Sequence, residues 1–302
     1  MSSDAPPDHR PGDRLSLTTL GGWSLAYADA GATPGYALGS SKPLALVVYL
    51  ALAPGRAVRR EQVLDLLWAD LEPTAAAHAL RQTLWILRQR FGEHLVVSGS
   101  GELRLAGVVE VDRDAFLAAV EARDYERAVA LYRGDFLPGF AAPGGAEFER
   151  WADIERDRLR DTFLRAGDAL VRRLLDSSRF REAVALARRV RDADPGHEGG
   201  WRLLIEALSS SGGALRAAVE ADALDQMLSA EHREPEPATR IVLRLARQVS
   251  EAQAPSPPRD DRAEEARARA GATGLVAELV GREREFNAVL RAWDTARGGN
   301  AR

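Results

Sequence analysis

His78, Arg81, Gln82, Trp85, Arg88 and Gln89 are the side chains of this sequence best suited by type and spacing to do chemistry, and that chemistry is recognition. At about 100° per residue a helix puts His78, Gln82, Trp85 and Gln89 on one face, with Arg81 and Arg88 along one edge. Leu80, Leu84, Leu87 and Phe91 fall on the opposite face and are expected to be buried. A helix packed on one side and offering His, Gln and Arg on the other suits the major groove of DNA. There Gln and Arg can hydrogen-bond base edges, and Arg can hold phosphates. The pattern alone equally describes a solvated helix face; an outward Trp85 shifts the reading towards a partner. Arg60, next to Arg59 at the start of an expected helix, suits a phosphate clamp, because helix starts favour anions. Arg104, on an expected hairpin, could reach the minor groove or the backbone, and Lys42 is a further candidate phosphate contact.

Catalytic constellations are missing. A phosphate-binding loop needs Gly-x-x-x-x-Gly-Lys-Ser/Thr. The single lysine, Lys42, follows Gly39-Ser40-Ser41 without the second glycine. Zero cysteines exclude disulfides, thiolate catalysis and cysteine zinc sites. None of the five histidines pairs with another at metal-ligand spacing, and no Gly-x-Ser-x-Gly elbow occurs. The carboxylates read as solvated helical surface. The expectation is a protein that is not an enzyme and that uses neither cofactor nor metal.

Charge is consistent with this. The chain carries a formal −4, which by itself disfavours nucleic acid. Between residues 41 and 91, however, seven basic residues face four acidic ones, an excess of three positive charges. No apolar run approaches the ~20 residues that span a bilayer, and Met1 to Asp8 lacks the basic start and apolar stretch of a signal peptide. A cytoplasmic protein with no membrane partner is expected.

The elements that must hold these residues can be read from pattern. Leu15 to Tyr27 alternates and breaks at Gly21-Gly22, as short antiparallel strands do. Pro43 to Ala53 reads as an apolar helix ended by Pro54-Gly55, and Arg59 to Ala69 as a second helix. Glu72-Pro73-Thr74 opens a third, which runs to Phe91 and stops at Gly92. Val96 to Leu105 reads as a hairpin turning on glycines. Strands, three helices and a closing hairpin in that order make a winged helix.

The following part is helical and repeats. Tyr125-Glu126-Arg127-Ala128-Val129 matches Phe180-Arg181-Glu182-Ala183-Val184, with a weaker echo at Leu215-Arg216-Ala217-Ala218-Val219. A large apolar residue followed by small ones three and four positions on is the spacing of tetratricopeptide-like hairpins. Between the first two copies a longer helix is expected to bury Phe148, Trp151, Ile154, Phe163, Leu170 and Leu174, entered through the loop Gly134 to Phe140. The fold class is thus mainly α with a small β component, an α+β winged helix followed by an all-α tetratricopeptide-like domain. The expected divisions are a disordered tail at 1–13, a DNA-binding domain at 14–110, a helical domain at 111–250, a linker at 251–273 and a further module beginning at 274–302.

These motifs carry a resemblance. Leu20-Gly21-Gly22, the run from Lys42 to Arg56, the run from Arg60 to Asp70, and Ala79-Leu80-Arg81-Gln82-Thr83-Leu84 with Leu87-Arg88 resemble the SARP-type (antibiotic regulatory protein) transcriptional activators. Val111-Asp112 with Phe116, Gly134 to Phe140, Phe148-Glu149-Arg150-Trp151, Glu155 to Leu159, Asp194-Pro195 and Trp201 look like their bacterial transcriptional activation domain. Leu279 to Glu285 and Ala292-Trp293 look like the start of a STAND-type ATPase module. The resemblance implies an OmpR-type winged helix whose third helix reads the major groove while the wing meets the minor groove. It implies binding of double-stranded DNA at promoter direct repeats, as a homodimer, and recruitment of RNA polymerase. His78, Arg81, Gln82, Trp85 and Arg88 then become the groove face and Arg60 a phosphate contact. The competing reading is a tetratricopeptide-like protein-interaction module, or a signal-transfer fragment of a STAND ATPase, with weak or no DNA binding.

Overall fold

The computed structural model describes residues 14–28, 38, 41–99, 101–140 and 145–253. The expected tail at 1–13 and the ATPase-like start at 274–302 lie outside these. The protein is mainly α-helical with a small β component, and the described residues fall in one compact unit.

The chain opens with β1 (Leu15–Thr18) and β2 (Ser24–Tyr27), paired antiparallel as their alternation predicts. The first helix, α1 (Lys42–Leu52), is apolar all round from Leu44 to Val48 and is accordingly buried all round. A short strand, β3 (Ala57–Arg59), leads into α2 (Arg60–Trp68) and then α3 (Pro73–Phe91). Proline suits the first turn of α3, because the N–H it lacks has no partner there. Gly92, at φ 83°, ends the helix and donates to the Arg88 carbonyl at 2.9 Å. Next come β4 (Val96–Gly99) and β5 (Glu102–Leu105), the expected hairpin, and then β6 (Val109–Val111).

The strands form two small sheets, ordered β2-β1-β6 and β3-β5-β4. Neither β3 nor β6 was foreseen, each being only three residues long. Strand β6 runs parallel to β1, Leu17 facing Val111, so the end of the winged helix closes back on its start.

Ten helices occur among the described residues, seven of them after β6. These are α4 (Asp112–Glu121), α5 (Tyr125–Leu131), α6 (Ala146–Asp176), α7 (Phe180–Ala193), α8 (Glu198–Ser210), α9 (Ala214–Ala230) and α10 (Pro237–Gln253). Each packs on the next in the order α4 on α5, α5 on α6 and onward to α10. The repeated motif opens α5, α7 and α9, and its small residues do the close packing: Ala128, Ala183, Ala187, Ala217 and Ala221 are buried. In the third copy the large residue does not follow suit. Leu215 and Val219 are exposed, and the buried face of α9 belongs to Ala214, Ala217, Ala218, Ala221 and Leu224.

Helix α6 corrects a second expectation. Its buried stripe runs Phe148, Ala152, Glu155, Leu159, Phe163, Ala166, Leu170 and Leu174, whereas Ile154 is 70% exposed. The stripe follows steps of three and four residues, and Ile154 lies about 100° off it beside Glu155. Selecting apolar residues by type overlooked that a carboxylate occupies the inward position.

The β1–β2 turn is wedged against the loop that enters α6. Gly21 N–H donates to the Asp135 carbonyl at 2.9 Å, and Leu137 N–H donates to the Thr19 carbonyl at 2.8 Å. Gly21 sits at φ 75°, and a Cβ there would stand 2.7 Å from the Arg133 carbonyl carbon. Gly21→Ala should therefore cost about 1–3 kcal/mol through left-handed backbone and overlap together. A urea midpoint unchanged from wild type would refute this account of the turn.

Candidate nucleic-acid interface

The candidate interface is built on α3. Ala76, Leu80, Thr83, Leu84, Leu87 and Phe91 are buried against the rest of the winged helix, with the Phe91 ring 6.1 Å from that of Tyr27. This anchoring leaves His78, Arg81, Gln82, Trp85, Arg88 and Gln89 exposed on the outer side, Trp85 at 60%. A tryptophan so exposed leaves most of its ring in water, a cost normally recovered by a partner. The helix carries Arg81, Arg88 and Arg90 and no acidic residue over its 19 positions. Sequence reasoning passed over Arg90; the charge tally along the helix was the signal. Arg81, Arg88 and Arg90 have no carboxylate partner among the described residues, so their charges are uncommitted.

The start of α2 is tied to the wing. Arg60 N–H donates to the Gly101 carbonyl at 2.7 Å, and Gln62 Oε1 accepts from the Arg59 N–H at 3.3 Å. Arg59 is exposed and Arg60 half-buried, with no ion pair to either among the described residues. In the wing sheet Ala57 on β3 and Val97 on β4 both face Arg104 on β5. Arg104 is exposed but shares its charge with Glu102, whose carboxylate lies 3.4 Å away. It is thus a weaker candidate than the arginines of α3.

Lys42 is corrected outright. Its Nζ donates to the Leu67 carbonyl at 2.7 Å and lies 5.0 Å from the centre of the Trp68 ring. Burial holds the ammonium below its ordinary pKa, against the pull of Asp70. Lys42 satisfies an orphan carbonyl at the end of α2 rather than reaching for phosphate. Nothing local to Lys42 signals this, since the partner lies 25 residues on.

The winged helix is fastened to the helical part at the start of α4. Asp112 Oδ1 accepts from the Thr19 N–H at 2.8 Å and from the Thr19 hydroxyl at 2.6 Å, and Oδ2 accepts from the Leu20 N–H at 3.0 Å. Arg113 donates to Glu155 Oε1 through Nε at 3.0 Å and through a terminal nitrogen at 2.6 Å. The Tyr49 ring of α1 meets Trp151 of α6 edge-on, centres 5.2 Å apart. Deeper in, Tyr132 stacks on Phe163 at 4.3 Å and donates to Asp135 at 3.1 Å. Burial, then the Asp135 charge, pushes the Tyr132 phenol well above its ordinary pKa, so it stays a neutral donor.

Residues 102–249 match the bacterial transcriptional activator domain. Regulatory protein AfsR of Streptomyces coelicolor is 30% identical over 203 residues, 62% of this chain; the chain spans only 20% of that relative's length. Among solved structures, Mycobacterium tuberculosis EmbR in complex with a low affinity phosphopeptide aligns at a TM-score of 0.56 and 17% identity. That alignment covers 85% of this chain and 70% of EmbR and shows a shared fold. Over the matched residues the chain is similar to transcriptional regulators. Among these relatives, AfsR is a SARP-family regulator. No helix among the described residues is long and apolar enough to cross a membrane.

Proposed function

We propose that this chain is a sequence-specific DNA-binding regulator in which α3 enters the major groove of promoter DNA. The observation that carries the reading is α3 itself, a helix with three arginines, no carboxylate and an exposed row of His78, Gln82 and Trp85. Gln82 and Arg81 are assigned to base edges, Arg88 and Arg60 to phosphates, and Arg104 to the neighbouring minor groove. His78 and Trp85 are assigned to the groove floor and walls. Two copies bind side by side on a direct repeat, and the activator domain over 102–249 meets RNA polymerase. The protein acts in the cytoplasm, where promoter DNA is accessible.

Repeated selection from a pool of random duplexes tests the reading. It should enrich one motif, present as a direct repeat; a pool that stays random overturns the proposal and favours an interaction module. Arg60→Ala should lower affinity for all sequences alike and reduce the slope of log K against log salt by about one. An altered sequence preference would remove Arg60 from the phosphate role.

A further inference from the structure

Where α1, the turn after it, β3 and α2 meet α4 and α6, the surface folds into a cavity of about 390 Å³, in the size range of small-molecule sites. About half of its wall is apolar, from Tyr49, Leu52, Pro54 and Val58 on the winged-helix side and Trp151 on α6. The edge-on contact of Tyr49 and Trp151 leaves two aromatic surfaces lining one space.

Three charged side chains share that lining, Arg113, Glu155 and Arg158. Arg113 is spent, since Glu155 Oε1 accepts from it twice and Asp114 accepts from it at 2.9 Å. Among the described residues, Arg158 is held only by a long ion pair. Its guanidinium lies 3.7 Å from Glu155 Oε2, beyond hydrogen-bond reach, with the side chain 64% exposed. Arg56, the residue after the turn, adds a cation 3.7 Å from Asp114, so three guanidinium groups face two carboxylates. A half-apolar, aromatic-walled cavity with one guanidinium in excess of its carboxylates is complementary to a small aromatic anion.

We infer that this cavity is a binding site for a planar aromatic monoanion, its ring against the exposed faces of Tyr49 and Trp151 and its carboxylate or sulfonate on Arg158. Arg158 gives the site its preference for anions, and the apolar part of the walls adds affinity for the ring. The site shares no residue with the face of α3, so it stands or falls independently of the DNA-binding reading.

The probe is 8-anilinonaphthalene-1-sulfonate, titrated into the 302-residue protein and followed by its fluorescence, with neutral N-phenyl-1-naphthylamine as the uncharged counterpart. Saturable one-to-one binding of the sulfonate is expected. Arg158→Gln should weaken it about tenfold or more, the loss of one charged hydrogen bond, while changing the neutral probe by less than about twofold. Ala53→Trp, which fills the cavity from the end of α1, should remove both. Arg158→Gln lies on exposed surface and keeps the test decisive if Ala53→Trp fails to fold. Non-saturable fluorescence, or equal affinity of wild type and Arg158→Gln for the sulfonate, would overturn the inference.

Discussion

Arg81→Ala combined with Gln82→Ala is expected to weaken binding to the selected site by at least about thirtyfold while reducing affinity for random duplex only a few-fold. Each good base-edge pair contributes about 1–3 kcal/mol of discrimination, so two absent pairs remove about 2 kcal/mol at the least. Random DNA loses only one positive charge near the backbone. Both side chains are exposed on a helix whose opposite face holds Leu80 and Leu84 in the core, so the substitutions should not disturb the fold. Competition titrations of the double variant at two salt concentrations check this. Equal losses on specific and random DNA would reduce α3 to an electrostatic surface.

The second large effect concerns the joint between the two halves. Glu155→Ala is expected to cost about 3 kcal/mol, because it leaves Arg113 largely buried and unpaired on that side. The expectation sits at the low end for a buried pair, since Asp114 still accepts from Arg113 at 2.9 Å. Arg113→Met with Glu155→Leu should lose less than Glu155→Ala alone, because an apolar pair carries no desolvation penalty. Denaturant unfolding should remain one transition in each variant, given that Asp112 and β6 bind the start of the helical part to β1. A loss under about 1 kcal/mol for Glu155→Ala would mean that the joint is held by its apolar contacts alone.

Much of this architecture is legible in local pattern. The spacing of Leu80, Leu84, Leu87 and Phe91 fixes which side of α3 is buried, and Pro73 and Gly92 mark its ends. The exposure of His78, Arg81, Gln82, Trp85 and Arg88 follows from that geometry. Local pattern does not reveal pairings distant in sequence. The carboxylate of Asp112 serves Thr19 and Leu20 more than ninety residues away, and Lys42 serves Leu67, each a surface charge to any local reading. The three-residue strands β3 and β6 lack the length to show a period of two and exist because β5 and β1 are there to pair with them. Ile154 shows the remaining failure. Residue type pointed inward, whereas the helix phase set by Phe148, Leu159 and Phe163 gives the inward position to Glu155, where Arg113 neutralises it.

The insertion of α3 into the major groove is best tested by dimethyl sulfate protection on the selected site. The reagent methylates guanine N7, an atom on the major-groove edge. Wild-type protein should shield one or two guanines in each half of the repeat, and Arg81→Ala should restore their reactivity while Arg104→Ala leaves the protection in place. Undiminished methylation of every guanine under saturating protein would contradict the groove assignment of α3.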